Sequence, residues 1–116
     1  MQHDSRAYLW DVRQAADAIL DFVAGIDLKT YAETQVIHSA VERQFQIIGE
    51  ALNLLSKADP TLSARIPDLA QIVAFRNVLI HGYAVVEHPR VWRIIKESVP
   101  PLRAKVAALL DELGPP

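Results

Sequence analysis

The stretch of sequence that decides this fold reads Arg76-Asn77-Val78-Leu79-Ile80-His81-Gly82-Tyr83. A cation, an amide, an imidazole and a phenol fall within about two turns of a helix. The residues just before them are mostly apolar: Leu69, Ile72, Val73 and Phe75. Because a polar group buried among such neighbours is unfavourable unless it finds a partner, the four polar side chains require a structural or a chemical explanation.

One face of this predicted helix carries small and polar side chains. At about 100° per residue, Asn77 and His81 form an i,i+4 pair on a single ridge. Ala70 and Ala74 extend the same ridge with side chains of minimal size. Such a ridge allows the close approach of a partner helix, a second subunit or a nucleic acid, and Arg76 lies on the neighbouring ridge.

An arginine and a histidine together suit the chemistry of a phosphodiester. Arg76 offers a permanently charged fork that matches phosphate, and His81 can take and give a proton near neutral pH. The chain has no cysteine, and it lacks a glycine-rich phosphate loop and a serine nucleophile elbow. RNA supplies its own nucleophile, so we expect attack by the ribose 2′-hydroxyl with Arg76 stabilising the transition state.

The spacing of Arg76 and His81 has a second interpretation that involves no chemistry. A surface arginine followed by a histidine at a helix C-terminus is a common arrangement, because a cation is favoured there. The spacing alone does not separate this interpretation from a nuclease site.

Several segments of the chain together match one known family pattern. The motif has the form Arg-x4-His-x-Tyr, and Val41-Glu42-Arg43 is followed by Ile47-Ile48-Gly49-Glu50-Ala51. Pro67 begins the segment that leads into the motif, and Val91-Trp92 follows it. With these features the chain resembles the HEPN-domain family, specifically its HepT-like toxin branch, over residues 6 to 113. The resemblance implies a HEPN-like bundle with ribonuclease activity.

The resemblance also implies roles for individual residues. Arg76 and His81 match the catalytic pair of a metal-independent endoribonuclease toxin, with tRNA or mRNA as substrate, and Asn77 matches a supporting residue or phosphate contact. Tyr83 matches the tyrosine to which a cognate minimal nucleotidyltransferase antitoxin adds AMP, in a type VII-like toxin–antitoxin pair. The bulk and negative charge of AMP would stand where an RNA phosphate must bind.

The same family pattern allows a function without catalysis. HEPN domains also serve as nucleotide-binding or docking subunits of nucleotidyltransferases. In that alternative, Arg76 would hold a nucleotide phosphate and Tyr83 would stack on a base.

The composition limits the class of protein. The 116 residues suit a single domain over residues 1–116. A hydrophobic fraction of 51% predicts a filled core with apolar surface to spare, which favours a homodimer, as the resemblance also implies. We see no signal peptide and no run of about 18 apolar residues that could span a membrane, so we expect a cytoplasmic protein.

The charge balance is unusual for a protein that binds RNA. The net charge is −2, whereas such proteins are usually basic. Four cations of the middle and later sequence can form a local positive patch that binds RNA: Arg43, Arg90, Arg93 and Lys96. The alternative for these side chains is an ordinary solvated helix face.

The apolar residues recur with a helical period throughout, which predicts an all-α, up-and-down bundle of four main helices. We expect these helices at residues 5–24, 34–58, 68–82 and 89–113, with loops or short helical turns at 26–34 and 61–66. Pro100-Pro101 predicts a kink or a split in the last helix. The third helix is apolar nearly all round, so we expect it to lie centrally.

A metal site is the remaining candidate. His38 and Glu42 have the i,i+4 spacing of two ligands on one helix face. Di-iron bundles, however, need Glu-x-x-His motifs, which this sequence lacks. We therefore expect no metal site and no cofactor.

Overall fold

The chain is described here by a computed structural model, which covers residues 4–81 and 86–114. Helices occupy most of these two ranges, and no strand occurs within them. The helices are α1 (Ser5–Phe22), α2 (Leu28–Glu33), α3 (Gln35–Ala58), α4 (Pro60–Ser63), α5 (Leu69–His81), α6 (His88–Glu97) and α7 (Val99–Leu113). The predicted all-α bundle is therefore confirmed, and the two predicted connections form the short helices α2 and α4.

Short acidic side chains begin three of these helices. The Asp4 carboxylate accepts a hydrogen bond from the Arg6 backbone N–H at 2.8 Å at the start of α1. Asp27 begins α2 in the same way, and Asp59 begins α4 just before Pro60. Each carboxylate satisfies an amide that has no partner within its helix.

The core is built around α1 and α3, which pack against each other more extensively than the other helix pairs of the described ranges. α1 packs against both α3 and α7, and α3 packs on its other side against α5. The largest fully buried side chains come from several helices: Tyr31, Phe45, Leu9, Ile19, Ile48, Leu52, Leu55, Ile95 and Leu109. α2 packs against α6 and, less extensively, against α3.

The last predicted helix is split, as Pro100-Pro101 indicated. α6 ends at Glu97, and α7 begins at Val99 with both prolines in its first turn. Proline is tolerated in a first turn because the N–H that it lacks would have no helical partner there. The chain can therefore change direction near Ser98 at little cost.

The expectation that the motif helix lies centrally is wrong. α5 buries Ile72, Phe75 and Leu79 against the bundle, and its extensive packing is with α3 alone among the described helices. Its opposite face is open, and Ile80 is 48% exposed. An apolar helix with one open face has surface available for a partner.

None of the helices in the described ranges has both the length and the apolar character that a bilayer crossing needs.

Candidate active site

Arg76 projects from α5 toward α3, where it meets Glu50. Its Nη1 lies 3.3 Å from Glu50 Oε2. The Arg76 side chain is only 14% exposed, whereas that of Glu50 is 54% exposed. The Arg76 Nε is buried and has no hydrogen-bond partner among the described residues. The guanidinium therefore keeps a donor that its protein surroundings leave unused.

A glycine makes this position of Arg76 possible. A Cβ built on Gly49 would collide with the Cβ of Arg76 and would lie 2.6 Å from its Cγ. Real Cβ atoms do not approach so closely, so any larger residue at position 49 would push α3 and α5 apart. The absent side chain of Gly49 lets the stem of Arg76 pack directly on α3.

His81 and Asn77 lie on the open face of α5. Both residues are exposed, and so are Ala70 and Ala74. The structure thus places the predicted ridge of small and polar side chains at the surface. His81 is the last residue of α5, so its imidazole stands at the helix end.

One chain does not bring Arg76 and His81 onto the same face. Five residues apart on a helix, they point about 140° away from each other. Arg76 is directed toward Glu50, at the edge of the packed face, whereas His81 lies on the open face. A single α5 helix therefore presents Arg76 and His81 to different surroundings.

The four predicted RNA-binding cations occupy different places. The Arg90 guanidinium lies 5.7 Å from the centre of the Phe75 ring, so α6 places it beside α5. Arg43 lines a groove of about 290 Å³ between α1 and α3, and Glu50 lines the same groove. The Lys96 ammonium stands 4.6 Å from the Trp92 ring, and Arg93 is exposed. Arg90 thus lies beside the helix that carries Arg76, and Arg43 lies on the same helix as Glu50.

The predicted modification residue, Tyr83, lies outside the described residues, as does Gly82. The described helix ends two residues before this tyrosine.

A second polar cluster lies where α2, α3 and α6 meet, and the sequence indicated only its i,i+4 pair, His38 and Glu42. His38 Nδ1 is 3.5 Å from Glu42 Oε2 but forms no hydrogen bond. The His38 and His88 rings are 4.3 Å apart between centroids, and the Nδ1 atom of each is buried without a partner among the described residues. The Tyr31 hydroxyl is buried and unpartnered in the same sense.

The surroundings of Tyr31 act on its acidity. Burial raises the pKa of the Tyr31 phenol, and the negative charge of Glu42 raises it further. The phenol therefore stays neutral and keeps its proton at any physiological pH.

Comparison with known proteins gives a consistent result. The family described as "Ribonuclease HepT-like" matches residues 12–109. A Methanocaldococcus jannaschii protein named "Putative RNase MJ1380" is 30% identical over 105 residues, which are 90% of this chain and 95% of that protein. A Thermococcus cleftensis protein named "Probable ribonuclease HepT" is 29% identical over 109 residues, which are 94% of this chain and 98% of that protein. No solved structure gives a significant match.

Proposed function

This chain belongs to the HepT-like ribonuclease family, and from that premise we propose that it is a metal-independent endoribonuclease whose catalytic residues are Arg76 and His81. The observation that carries the proposal is the placement of these two residues on α5. Arg76 is held on Gly49 with an unused donor, and His81 stands exposed on a ridge of small side chains. An arginine with no role beyond the surface would extend into solvent, whereas the Arg76 side chain is only 14% exposed and packs on Gly49.

The chemistry follows from what each side chain can do. The ribose 2′-hydroxyl attacks the adjacent phosphorus while a base removes its proton, and the 5′-oxygen leaves with a proton from an acid. His81 serves in this proton transfer, since imidazole exchanges protons near neutral pH. Arg76 neutralises the added charge on the phosphate oxygens. The products are a 2′,3′-cyclic phosphate and a 5′-hydroxyl end.

We place the working site between two copies of the chain. Arg76 and His81 point about 140° apart on one helix, so a single α5 cannot direct both at one phosphate. Ala70 and Ala74 offer little steric resistance to a second helix on the open face. In the homodimer that we propose, the two α5 helices face each other and Arg76 and His81 of both subunits line one groove.

The remaining parts of the substrate site extend from this groove. Asn77 is one turn before His81 on the same ridge, where its amide can hold a phosphate or orient the imidazole. Arg90, beside α5, and Arg43, beside Glu50, provide flanking positive charge for the RNA backbone. Arg93 and Lys96 extend this charge along α6. These cations can attract RNA locally although the net charge is −2.

Control by a partner is the second part of the proposal. The motif ends in Tyr83, two residues after the proposed catalytic histidine. AMP attached to this phenol by a cognate nucleotidyltransferase antitoxin would add negative charge close in sequence to His81 and repel the RNA phosphates. The chain would then act as the toxin of a toxin–antitoxin pair.

A cleavage assay on total RNA in the presence of EDTA tests the catalytic proposal. We expect the unmodified chain to cut RNA and to leave 2′,3′-cyclic phosphate ends, which are identified by their resistance to ligation until the cyclic phosphate is removed. His81→Ala should lose the activity and keep its helical circular dichroism. Gln71→Ala, an exposed change on the same helix, is the matched control and should retain it.

The opposite result favours the docking function. If unmodified protein of high purity leaves every RNA intact but binds AMP or ATP, and Arg76→Ala abolishes that binding, the chain is a nucleotide-binding subunit.

Mass spectrometry after coexpression with a nucleotidyltransferase from the same genome tests the second part of the proposal, since AMP-sized additions should map to Tyr83 and disappear in Tyr83→Phe.

A further inference from the structure

We propose that His38, Glu42 and His88 form a zinc site that joins α3 to the start of α6. Each residue offers one ligand atom, and these atoms all lie within 4.8 Å of one another. The site is separate from the proposed catalytic pair, and nothing in the proposed ribonuclease chemistry requires it. Its function would be to hold α6 in place.

The donor set suits zinc. Zn²⁺ is commonly bound by histidine nitrogen and carboxylate oxygen at about 2.0–2.2 Å in tetrahedral geometry, which sets ligand atoms about 3.3 Å apart. His38 Nδ1 and Glu42 Oε2 are already 3.5 Å apart. Two histidines and one glutamate leave a fourth position for water. The chain has no cysteine to offer instead.

The unpaired polar atoms are the independent observation that points to a ligand. The Nδ1 atoms of His38 and His88 and the hydroxyl of Tyr31 are all buried and lack a hydrogen-bond partner. Tyr31 is fully buried, at 0% exposure, and its ring lies 6.2 Å from His38 and 5.9 Å from His88 between centroids. Three unsatisfied groups at one place are unusual in a folded protein. A cation with a bound water would satisfy them together.

The cluster also remains open enough for an ion to enter. The His38 and Glu42 side chains are 18% and 23% exposed, and His88 is half-buried. Trp92 packs on Tyr31 at 5.4 Å between ring centroids, so the site is walled on one side by aromatic rings. Such a low-polarity wall strengthens the attraction between the ion and the Glu42 carboxylate.

Its position gives the site a structural consequence. α2 packs against both α6 and α3, and His88 is the first residue of α6. An ion shared by His88 and two residues of α3 would fix the first residue of α6 against α3. The bound form should therefore be more stable than the free form.

Titration of the full-length chain with ZnCl₂ after removal of metals by EDTA tests the proposal. Calorimetry should show one tightly bound Zn²⁺ per chain, and Co²⁺ should give the visible absorption of a tetrahedral complex. At a free zinc concentration of about 100 times Kd, the midpoint of thermal unfolding should rise by about 10 °C. All proteins in the comparison carry His3→Gln, so that this histidine contributes no background binding.

Variants that change one ligand at a time identify the site. His38→Gln and His88→Gln should each weaken zinc binding by about 100-fold or more, since even the loss of a partner behind a ligand costs 10–100-fold. His81→Gln removes an exposed histidine on α5 and should bind zinc as the parent does. Circular dichroism of each metal-free variant establishes that it is folded.

Three results would overturn the proposal. They are equal zinc affinity in the parent and in the double variant His38→Gln/His88→Gln, loss of binding in His81→Gln alone, and a stoichiometry of one ion per two chains. None of these results would bear on RNA cleavage measured in EDTA, so the zinc site and the proposed function can fail separately.

Discussion

Gly49 on α3 lies directly against the Cβ and Cγ atoms of Arg76 on α5, with no space for a methyl group between them. The two helices therefore pack in close contact at the residue that we propose stabilises the phosphate charge. The stem of Arg76 is packed on a glycine, and its guanidinium continues outward to Glu50 and solvent. Position 49 on α3 thus governs both the packing of α5 and the direction of the Arg76 side chain.

Gly49→Ala should destabilise the protein and displace Arg76. The added methyl would overlap the Arg76 stem, and overpacking of this kind costs about 1–3 kcal/mol, although alanine is the better helix former. We expect a lower free energy of unfolding in urea and a reduced rate of RNA cleavage. Ser39→Ala, an exposed change on the same helix, is the control and should leave both unchanged. Full stability in Gly49→Ala would mean that α5 moves away without cost.

Glu50→Gln should strengthen RNA binding with little change in stability. In the free protein the Glu50 carboxylate is paired with the Arg76 guanidinium. A phosphate that binds Arg76 must therefore displace this carboxylate. Because Glu50 is largely exposed, the pair is worth at most about 1 kcal/mol, and its loss should tighten RNA binding by roughly 2- to 5-fold.

The binding measurement for Glu50→Gln uses the His81→Ala background, so that RNA is not cut during the titration. Glu33→Gln makes the same change of charge at an exposed position on α2. Identical affinities in the two variants would assign any gain to net charge rather than to Arg76.

How much the sequence reveals differs between the fold and the site. The helical period of the apolar residues and the positions of the prolines predict the main helices and the split before Val99. Both signals come from residues that are close together in the chain. The position of α5 at the edge was missed, since an apolar composition does not distinguish burial in one chain from burial between two. His88 was missed as a neighbour of His38 because 50 residues separate them in the chain. The packing of α2 against both α3 and α6 brings these imidazoles together.

The stability that Asp4 contributes should depend on acid pH. The Arg6 guanidinium, and then the Arg6 backbone N–H, donate hydrogen bonds to this carboxylate and lower its pKa to about 2. An unfolded aspartate has a pKa of about 3.9. A carboxyl whose pKa is lower in the folded state stabilises the fold fully above the unfolded pKa, and this contribution disappears as the pH falls through the folded pKa.

The comparison of the parent with Asp4→Asn measures that contribution. Asparagine keeps an acceptor for the Arg6 N–H but does not ionise. The difference in free energy of unfolding between the two proteins should be constant near pH 7 and should shrink between about pH 5 and pH 2. Asp21→Asn is the control, because it removes an exposed carboxylate from the same helix at a position that does not cap the helix. A difference that is flat with pH for Asp4→Asn would show that the Arg6 contacts do not persist in solution.

Ala74→Glu should separate the proposed dimer. Ala74 lies exposed on the ridge between Ala70 and Asn77, where two symmetric copies of the helix would bring the introduced charges together. Sedimentation at micromolar concentration should show a dimer for the parent and a monomer for the variant, and cleavage should fall with the dimer. Ala108→Glu, an exposed change on α7, should keep the dimer and the activity. If Ala74→Glu remains a fully active dimer, the interface lies elsewhere.

Mixing two inactive variants should restore cleavage if Arg76 and His81 work across subunits. In a two-fold dimer, each phosphate site would take its arginine from one subunit and its histidine from the other. A mixed dimer of Arg76→Ala and His81→Ala then has one site that lacks both groups and one site that is intact. After free exchange of equal amounts, half the dimers are mixed, so the activity should recover to about a quarter of the parent value. If Arg76 and His81 of one chain instead served the same site, no mixing ratio would restore cleavage. The divergence of about 140° between the two side chains is the reason to expect recovery. Because each variant alone is inactive, even a small restored rate is measurable against a low background.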